Sequence, residues 1–286
     1  MTPLLALLPL ALAASQAPKG DLPTFAMALD VVRVDVSVTR DGVPVKGLTA
    51  SSFEVLDDGV RQKVELVGQE DLALHTVLVL DTSQSVAGPR LARLKAAAHQ
   101  FVDTLRPDDA LSLLTFSECT ELAFTASRDR RAAHEALELA GTRLTTSLND
   151  AALAALLVAD PTQGRPLVLI FSDGEDVGSW TSAEKVLRLA KESEVVVHTV
   201  VPTEREAPAF VKELTDATGG RIWHATEGSG LGDVFLGALE EFRNRYRLQF
   251  EPEGVKQAGW HRLAVRLKGT AGKVLARPGY SPRAEQ

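Results

Sequence analysis

Between Phe25 and Val67 polar and apolar residues alternate with a period of two. The clearest run is Val32-Arg33-Val34-Asp35-Val36-Ser37-Val38-Thr39, which predicts a strand with one face in a core and one in water. Asp41-Gly42 and Asp57-Asp58-Gly59 are turn signals, each followed by another alternating stretch. Phe53 to Leu56 and Val60 to Val67 are expected to pair as a hairpin around Asp58-Gly59. Gly47 to Ser52 reads as a connection between strands.

From His75 the rhythm changes. Apolar runs at Thr76–Leu80, Ala110–Leu114, Leu167–Phe171, Val195–Val201 and Ile222–Trp223 are separated by stretches of helical spacing. Leu91, Leu94, Ala98, Phe101, Val102 and Leu105 fall on one stripe, and Pro107-Asp108-Asp109 ends that helix. Similar stripes occur at Ala183 to Ala190, at Phe210 to Ala217 with Gly219-Gly220 as its cap, and at Val234 to Phe242. Continuous apolar strands covered by helices predict an α/β fold, a doubly wound and mostly parallel sheet. After Arg245 short alternating strands return at Tyr246–Phe250, His261–Leu267 and Lys273–Arg277. Neither β flank is large enough to close a core alone. The expected plan is therefore a segment at 18–73 and another at 246–286 packed as one small β-sandwich, with an α/β domain at 74–245 inserted between them.

Residues 1–17 stand apart. Leu4 to Ala14 is a short apolar run, with Ala11-Leu12-Ala13 or Ser15-Gln16-Ala17 as cleavage signals. The run is too short to span a bilayer. It predicts a signal peptide, and hence an exported protein in the periplasm, on the cell surface or secreted, without a membrane span after cleavage. A net charge of −7 argues against nucleic acid or an anionic membrane as the main partner, since both select basic surfaces. The most basic local feature, Arg243, Arg245 and Arg247, reads as charge at a helix C-terminus running into a half-exposed strand. Cys119 is the only cysteine, so no internal disulfide forms, and it is expected to be a buried or half-buried thiol near a strand end.

The candidate chemistry lies at the strand ends. Asp81-Thr82-Ser83-Gln84-Ser85 follows Thr76–Leu80 and brings a carboxylate and two hydroxyls to the carboxyl end of a central strand, where open parallel sheets bind ligands. Leu144-Thr145-Thr146-Ser147-Leu148-Asn149-Asp150 opens a helix, and Ser172-Asp173-Gly174 leaves the strand Leu167–Phe171. Three loops should thus converge on one sheet edge with Asp81, Ser83, Ser85, Thr146 and Asp173. All five side chains offer oxygen, the hard donor that Mg2+ prefers. Alone, the Asp-Thr-Ser-Gln-Ser run is as good a helix N-cap as a metal site; the later Thr146 and Asp173 favour the metal. Glu175 and Asp176 read as a solvated loop before a helix, or as further carboxylates that draw in Ca2+.

Asp81-x-Ser83-x-Ser85, a later Thr and a later Ser-Asp-Gly resemble the metal-ion-dependent adhesion site of the von Willebrand factor type A domain. The resemblance covers roughly Leu74 to Arg245. The flanks, with Gly47 to Val55 and Val274 to Tyr280, resemble exported acidobacterial proteins of the same type. It implies that Ser83 and Ser85 bind Mg2+ directly, with Mn2+ or Ca2+ as alternatives. Thr146 would bind directly or through water, with Thr145 as the fallback, while Asp81 and Asp173 would neutralise the ion through bound waters. An ion held by neutral hydroxyls stays electron-poor and can accept a carboxylate from outside. The implied partner is a protein presenting Asp or Glu, and the resemblance further implies that Thr146 shifts on engagement and that the last helix, Leu231 to Asn244, carries the motion onward.

Enzymatic readings fit less well. A phosphotransfer enzyme of the haloacid-dehalogenase type needs an acid where Ser83 stands, and no Gly-x-Ser-x-Gly elbow is present. Gly228-Ser229-Gly230-Leu231-Gly232 lacks dinucleotide spacing, and His75, His134, His198, His224 and His261 lack zinc spacing. Two non-enzymatic classes remain. One is a metal-dependent protein-binding or adhesion module. The other is a structural or accessory subunit of an envelope assembly in which the metal only fixes loop geometry.

Overall fold

The computed structural model describes residues 31–68, 72–226 and 230–282; the expected signal peptide lies outside them. The chain begins with β1 (Val32–Arg40), β2 (Val43–Pro44), β3 (Phe53–Asp57), β4 (Val60–Gln62) and β5 (Glu65–Val67). It continues through β6 (Leu74–Asp81), α1 (Pro89–Thr104), β7 (Ala110–Phe116), β8 (Thr120–Ser127), α2 (Arg130–Leu139), α3 (Leu148–Val158) and β9 (Arg165–Phe171). Then follow α4 (Ala183–Glu192), β10 (Val196–Pro202), α5 (Ala209–Ala217), β11 (Ile222–Ala225) and α6 (Leu231–Arg243). The chain closes with β12 (Tyr246–Phe250), β13 (His261–Leu267), β14 (Lys273–Leu275) and β15 (Gly279–Tyr280).

The central sheet runs β11-β10-β9-β6-β7-β8, parallel except for β8. Strand β6 is buried at all eight positions, as a strand covered on both faces must be. One face packs under α1, α2 and α6, where Phe101 and Phe171 meet Phe235 edge-on. The other packs under α3, α4 and α5. The architecture is the doubly wound α/β fold expected. The edge strand β8 is a departure from the expected elements: half of Thr120–Ser127 is exposed, none of it is buried, and it carries no continuous apolar run. Cys119, expected to be buried or half-buried, is exposed in the turn between β7 and β8, where the Ser117 N–H donates to the Cys119 carbonyl at 3.1 Å.

The flanking strands form two further sheets, β14-β1-β12-β5 with β2 beside β1, and β15-β13-β3-β4. They close over Val34, Val36, Phe53, Val55, Tyr246, Leu248 and Phe250. Asp58 and Gly59 both have positive φ, as a two-residue hairpin turn requires, and pair Asp57 with Val60. The stretch Val60–Val67 is not one strand. It bends after Gln62, so that β4 pairs with β3 and β5 crosses to pair with β12.

The polar face of β1, expected to be wet, is exposed only at Arg33 and partly at Thr39. Asp35 and Ser37 are buried, because the sandwich sits against the α/β layer through charged side chains. Arg165 Nε donates to Asp35 Oδ1 at 2.6 Å, with its guanidinium over the Phe242 ring. Arg247 pairs with Glu194 at 3.0 Å, and Arg277 Nη2 donates to the Lys191 carbonyl at 2.8 Å. The arginines read as charge at a helix C-terminus running into a half-exposed strand are therefore structural. Arg245 is fully buried, pairing with Glu241 at 3.0 Å and donating to the Gly219 carbonyl, while Arg243 pairs with the buried Asp109.

Two tests follow from this seam. Asp35→Ala leaves the Arg165 guanidinium buried without its counter-charge and should cost about 3–5 kcal/mol in urea unfolding. The double variant Asp35→Ala/Arg165→Met should recover most of that loss. The second test concerns His198, whose Nδ1 accepts the Arg221 N–H at 2.9 Å and whose Nε2 lies 2.9 Å from Glu241. Burial pushes the His198 ring below its ordinary value, against the pull of Glu241. Burial alone would raise the Glu241 carboxyl, yet the Arg245 charge and His198 hold it well below the carboxylate range. Both groups bind fewer protons folded than unfolded, so their stability is present above the unfolded values and is lost as pH falls. The loss at His198 should amount to roughly 1 kcal/mol per pH unit below about 6.5, and His198→Asn should flatten that slope between pH 7.5 and 5.5.

Candidate functional site

The carboxyl ends of β6 and β9 lie side by side, with Leu80 opposite Phe171, so the next residues of both strands emerge together. Asp81 ends β6 and is fully buried. Its Oδ1 accepts the Ser83 N–H at 2.9 Å and its Oδ2 accepts the Ser172 hydroxyl at 2.8 Å. Extended backbone at Ser83 turns the loop so that Ser83 Oγ meets Ser85 Oγ at 3.0 Å. Ser85 Oγ donates to Asp173 Oδ1 at 2.5 Å. Three of the five expected side chains, Ser83, Ser85 and Asp173, are thus linked oxygen to oxygen, and Asp81 joins them through the Ser83 amide.

The fifth, Thr146, arrives on its own loop. That loop is stitched to its neighbours by main-chain bonds from Arg143 N to the Thr82 carbonyl, from Ser147 N to the Ser117 carbonyl, and from Val177 N and Gly178 N to the Thr146 carbonyl. Thr146 is buried, and its hydroxyl faces Gly174, where a Cβ would stand 3.7 Å away. No hydrogen bond among the described residues joins it to the other four side chains. Thr145, the fallback, is exposed.

Burial pushes the Asp81 carboxyl above its ordinary value; bonds from Ser83 and Ser172 oppose this, and the like charge of Asp173 adds to it. Two carboxylates and two hydroxyls in mutual reach are what a hard divalent cation needs, since its charge offsets both the desolvation and the repulsion. The donor set fits Mg2+.

Two residues at the site were not singled out beforehand. Ser172, which the sequence shows only as part of the Ser-Asp-Gly run after β9, orients Asp81. Arg90, in the first turn of α1, donates to the Ser85 carbonyl at 3.2 Å and stands 3.9 Å from Asp173. Beside Asp173 a cavity of about 280 Å3 opens, lined in part by Arg90, Arg93, Arg205, Phe171 and Leu231. Asp176, read as solvated, is a structural acceptor for Asn149 N at 3.1 Å and Ser179 Oγ at 2.5 Å, whereas Glu175 is exposed as expected. A separate cluster, Asp57, Asp58 and His261, lies in the sandwich; there Asp57 is already met by Tyr280 Oη at 2.7 Å and His261 Nδ1 at 3.0 Å.

Asp150 holds the outer rim by accepting Trp180 N and Thr181 N, both at 2.9 Å. Asp150→Ala should cost about 1–2 kcal/mol and speed hydrogen exchange at those two amides, with little change at β6.

Residues 76–175 match the family model of the von Willebrand factor type A domain. The chain is 24% identical to a UPF0353 protein of Mycobacterium avium over 241 residues, 70% of this chain and 68% of the relative. A von Willebrand factor type A structure from Catenulispora acidiphila aligns over 88% of this chain and 72% of its own, at 13% identity and a TM-score of 0.55. Proximal thread matrix protein 1 from the mussel byssus, solved with a zinc-occupied MIDAS motif, aligns over 64% of this chain and 49% of its own, at 15% identity and a TM-score of 0.53. Residues 76–175 thus match the von Willebrand factor type A domain, and the chain shares the fold of the Catenulispora acidiphila structure.

Proposed function

We propose that this is an exported, non-enzymatic protein-binding module that captures an acidic residue of a partner at a Mg2+ site formed by Asp81, Ser83, Ser85, Thr146 and Asp173. The observation that carries the reading is the unbroken chain Ser83 Oγ, Ser85 Oγ, Asp173 Oδ1, set beside a buried Asp81 that has no cationic partner of its own among the described residues. In this reading residues 74–245 recognise the partner, and 18–73 with 246–286 support them.

The division of labour follows from the chemistry of the side chains. Ser83 and Ser85 offer neutral lone pairs, so they bind without saturating the charge of an ion. Asp81 and Asp173 supply the compensating charge, and Ser172 with the Ser83 amide keeps Asp81 in place. The bound ion would contribute one Lewis-acidic position open to an external carboxylate. Arg90, Arg93 and Arg205 along the neighbouring cavity suit an acidic partner. On the loops that carry Thr146 and follow Asp173, Leu144, Val177 and Trp180 are exposed, Trp180 by 97%, and give apolar contact area to a protein surface. Among the described residues no helix is long and apolar enough to cross a membrane.

Calorimetric titration with Mg2+ and Mn2+ should give one site in the wild type and none in Asp81→Ala; a normal isotherm from the variant would remove the site. A peptide array presenting Asp or Glu against Asn or Gln then tests the ligand class. Retention should require both the carboxylate and the metal, and retention that survives EDTA would favour a role in which the metal only fixes the loops.

A further inference from the structure

Helices α1 and α2 carry matching patterns, His99-x-x-x-Asp103 and His134-x-x-x-Glu138. Spacing of four puts each histidine and its acid on one helix face. The two faces meet crosswise. His99 Nε2 lies 2.8 Å from Glu138 of the facing helix, and His134 Nε2 lies 3.0 Å from Asp103. The ring centroids are 4.9 Å apart, the planes are 25° apart and the two Nδ1 atoms are 2.7 Å from each other, so the rings meet edge to edge through Nδ1.

Proton counting makes this arrangement unusual. A carboxylate only accepts, so each Nε2 must carry the hydrogen of its ring. A neutral imidazole has one such hydrogen. Both Nδ1 atoms then aim lone pairs at each other across 2.7 Å, and the contact holds together only if a cation lies between them. That cation is either a proton shared by the pair or a metal ion.

We propose that His99 and His134 form a metal site for a divalent transition ion of the Zn2+, Ni2+ or Cu2+ class, chemically distinct from the oxygen site at the strand ends. Imidazole nitrogen is the preferred donor of these ions and a poor donor for Mg2+. Each ligand is already backed by a carboxylate on its far nitrogen, the support that fixes the tautomer of metal-bound histidine. Two carboxylates balance a divalent charge, and the half-exposed rings leave room for water in the remaining positions. At Zn–N distances near 2.0–2.1 Å, tetrahedral donors stand about 3.3 Å apart, so the gap need open by only about 0.6 Å. Binding would displace the shared proton and clip α1 to α2.

The test is a Zn2+ titration of Asp81→Ala, in which the strand-end site cannot contribute, read by calorimetry. One Zn2+ should bind, and excess Mg2+ should not compete. Glu138→Gln should weaken it by roughly 10–100-fold, and His134→Ala should weaken it further. In case Asp81→Ala folds poorly, Cu2+ added to Mg2+-saturated wild type should show an electron paramagnetic resonance signal with two nitrogen couplings that His134→Ala reduces. Unchanged Zn2+ affinity in Asp81→Ala/His134→Ala overturns the proposal. So does the absence of binding in both Asp81→Ala and Mg2+-saturated wild type. Neither result bears on the strand-end site.

Discussion

A carboxylate at the end of a strand with no exposed residue is the constraint from which the rest of the site follows. Strand β6 is apolar and covered on both faces, so Asp81 reaches the sheet edge without reaching bulk water. A buried charge must be hydrogen-bonded or neutralised. The Ser83 amide and the Ser172 hydroxyl meet its lone pairs but not its charge, and Asp173 nearby makes the charge problem worse. Loops that would be free to wander in another fold are held here by main-chain bonds between the β6, β7, α3 and β9 connections. The site is preorganised by backbone, and its side chains are left to handle charge.

The same logic recurs where the sandwich meets the α/β layer, with guanidinium groups in place of carboxylates. Arg165, Arg245, Arg247 and Arg277 are all buried, each with an acid or a carbonyl in reach. Paired buried charges add little net stability, but a slipped packing that strands one of them is expensive. The seam therefore selects one docking of the two layers. It also bears on the motion implied for the last helix: Glu241 and Arg245 tie its C-terminal end to His198 and to the Gly219 carbonyl. A sliding α6 would have to break these contacts together.

What the chain disclosed beforehand depended on how local the signal was. The parallel strands were legible because burial on both faces leaves a continuous apolar run, and the strand-end oxygens because a loop carries them in order. Strand β8 was not, since an exposed edge strand such as Thr120–Ser127 has no such run. Val60–Val67 alternates evenly, yet it divides between two sheets, and alternation does not record which sheet a residue joins. Asp35 and Arg247 looked like solvent-facing positions because their partners, Arg165 and Glu194, are far away in sequence. His99 and His134 escaped for the same reason: zinc spacing is sought along one segment, and these two meet across helices.

The α/β layer leaves and rejoins the sandwich at adjacent points, since β5 precedes it, β12 follows it, and Val67 pairs with Arg247. The α/β layer is therefore carried by a pair of neighbouring strands and not by a single-chain hinge. Strand β12 is in turn paired to β1 over the register Val32↔Phe250 through Val36↔Tyr246, so swivelling one layer against the other would require that ladder to open.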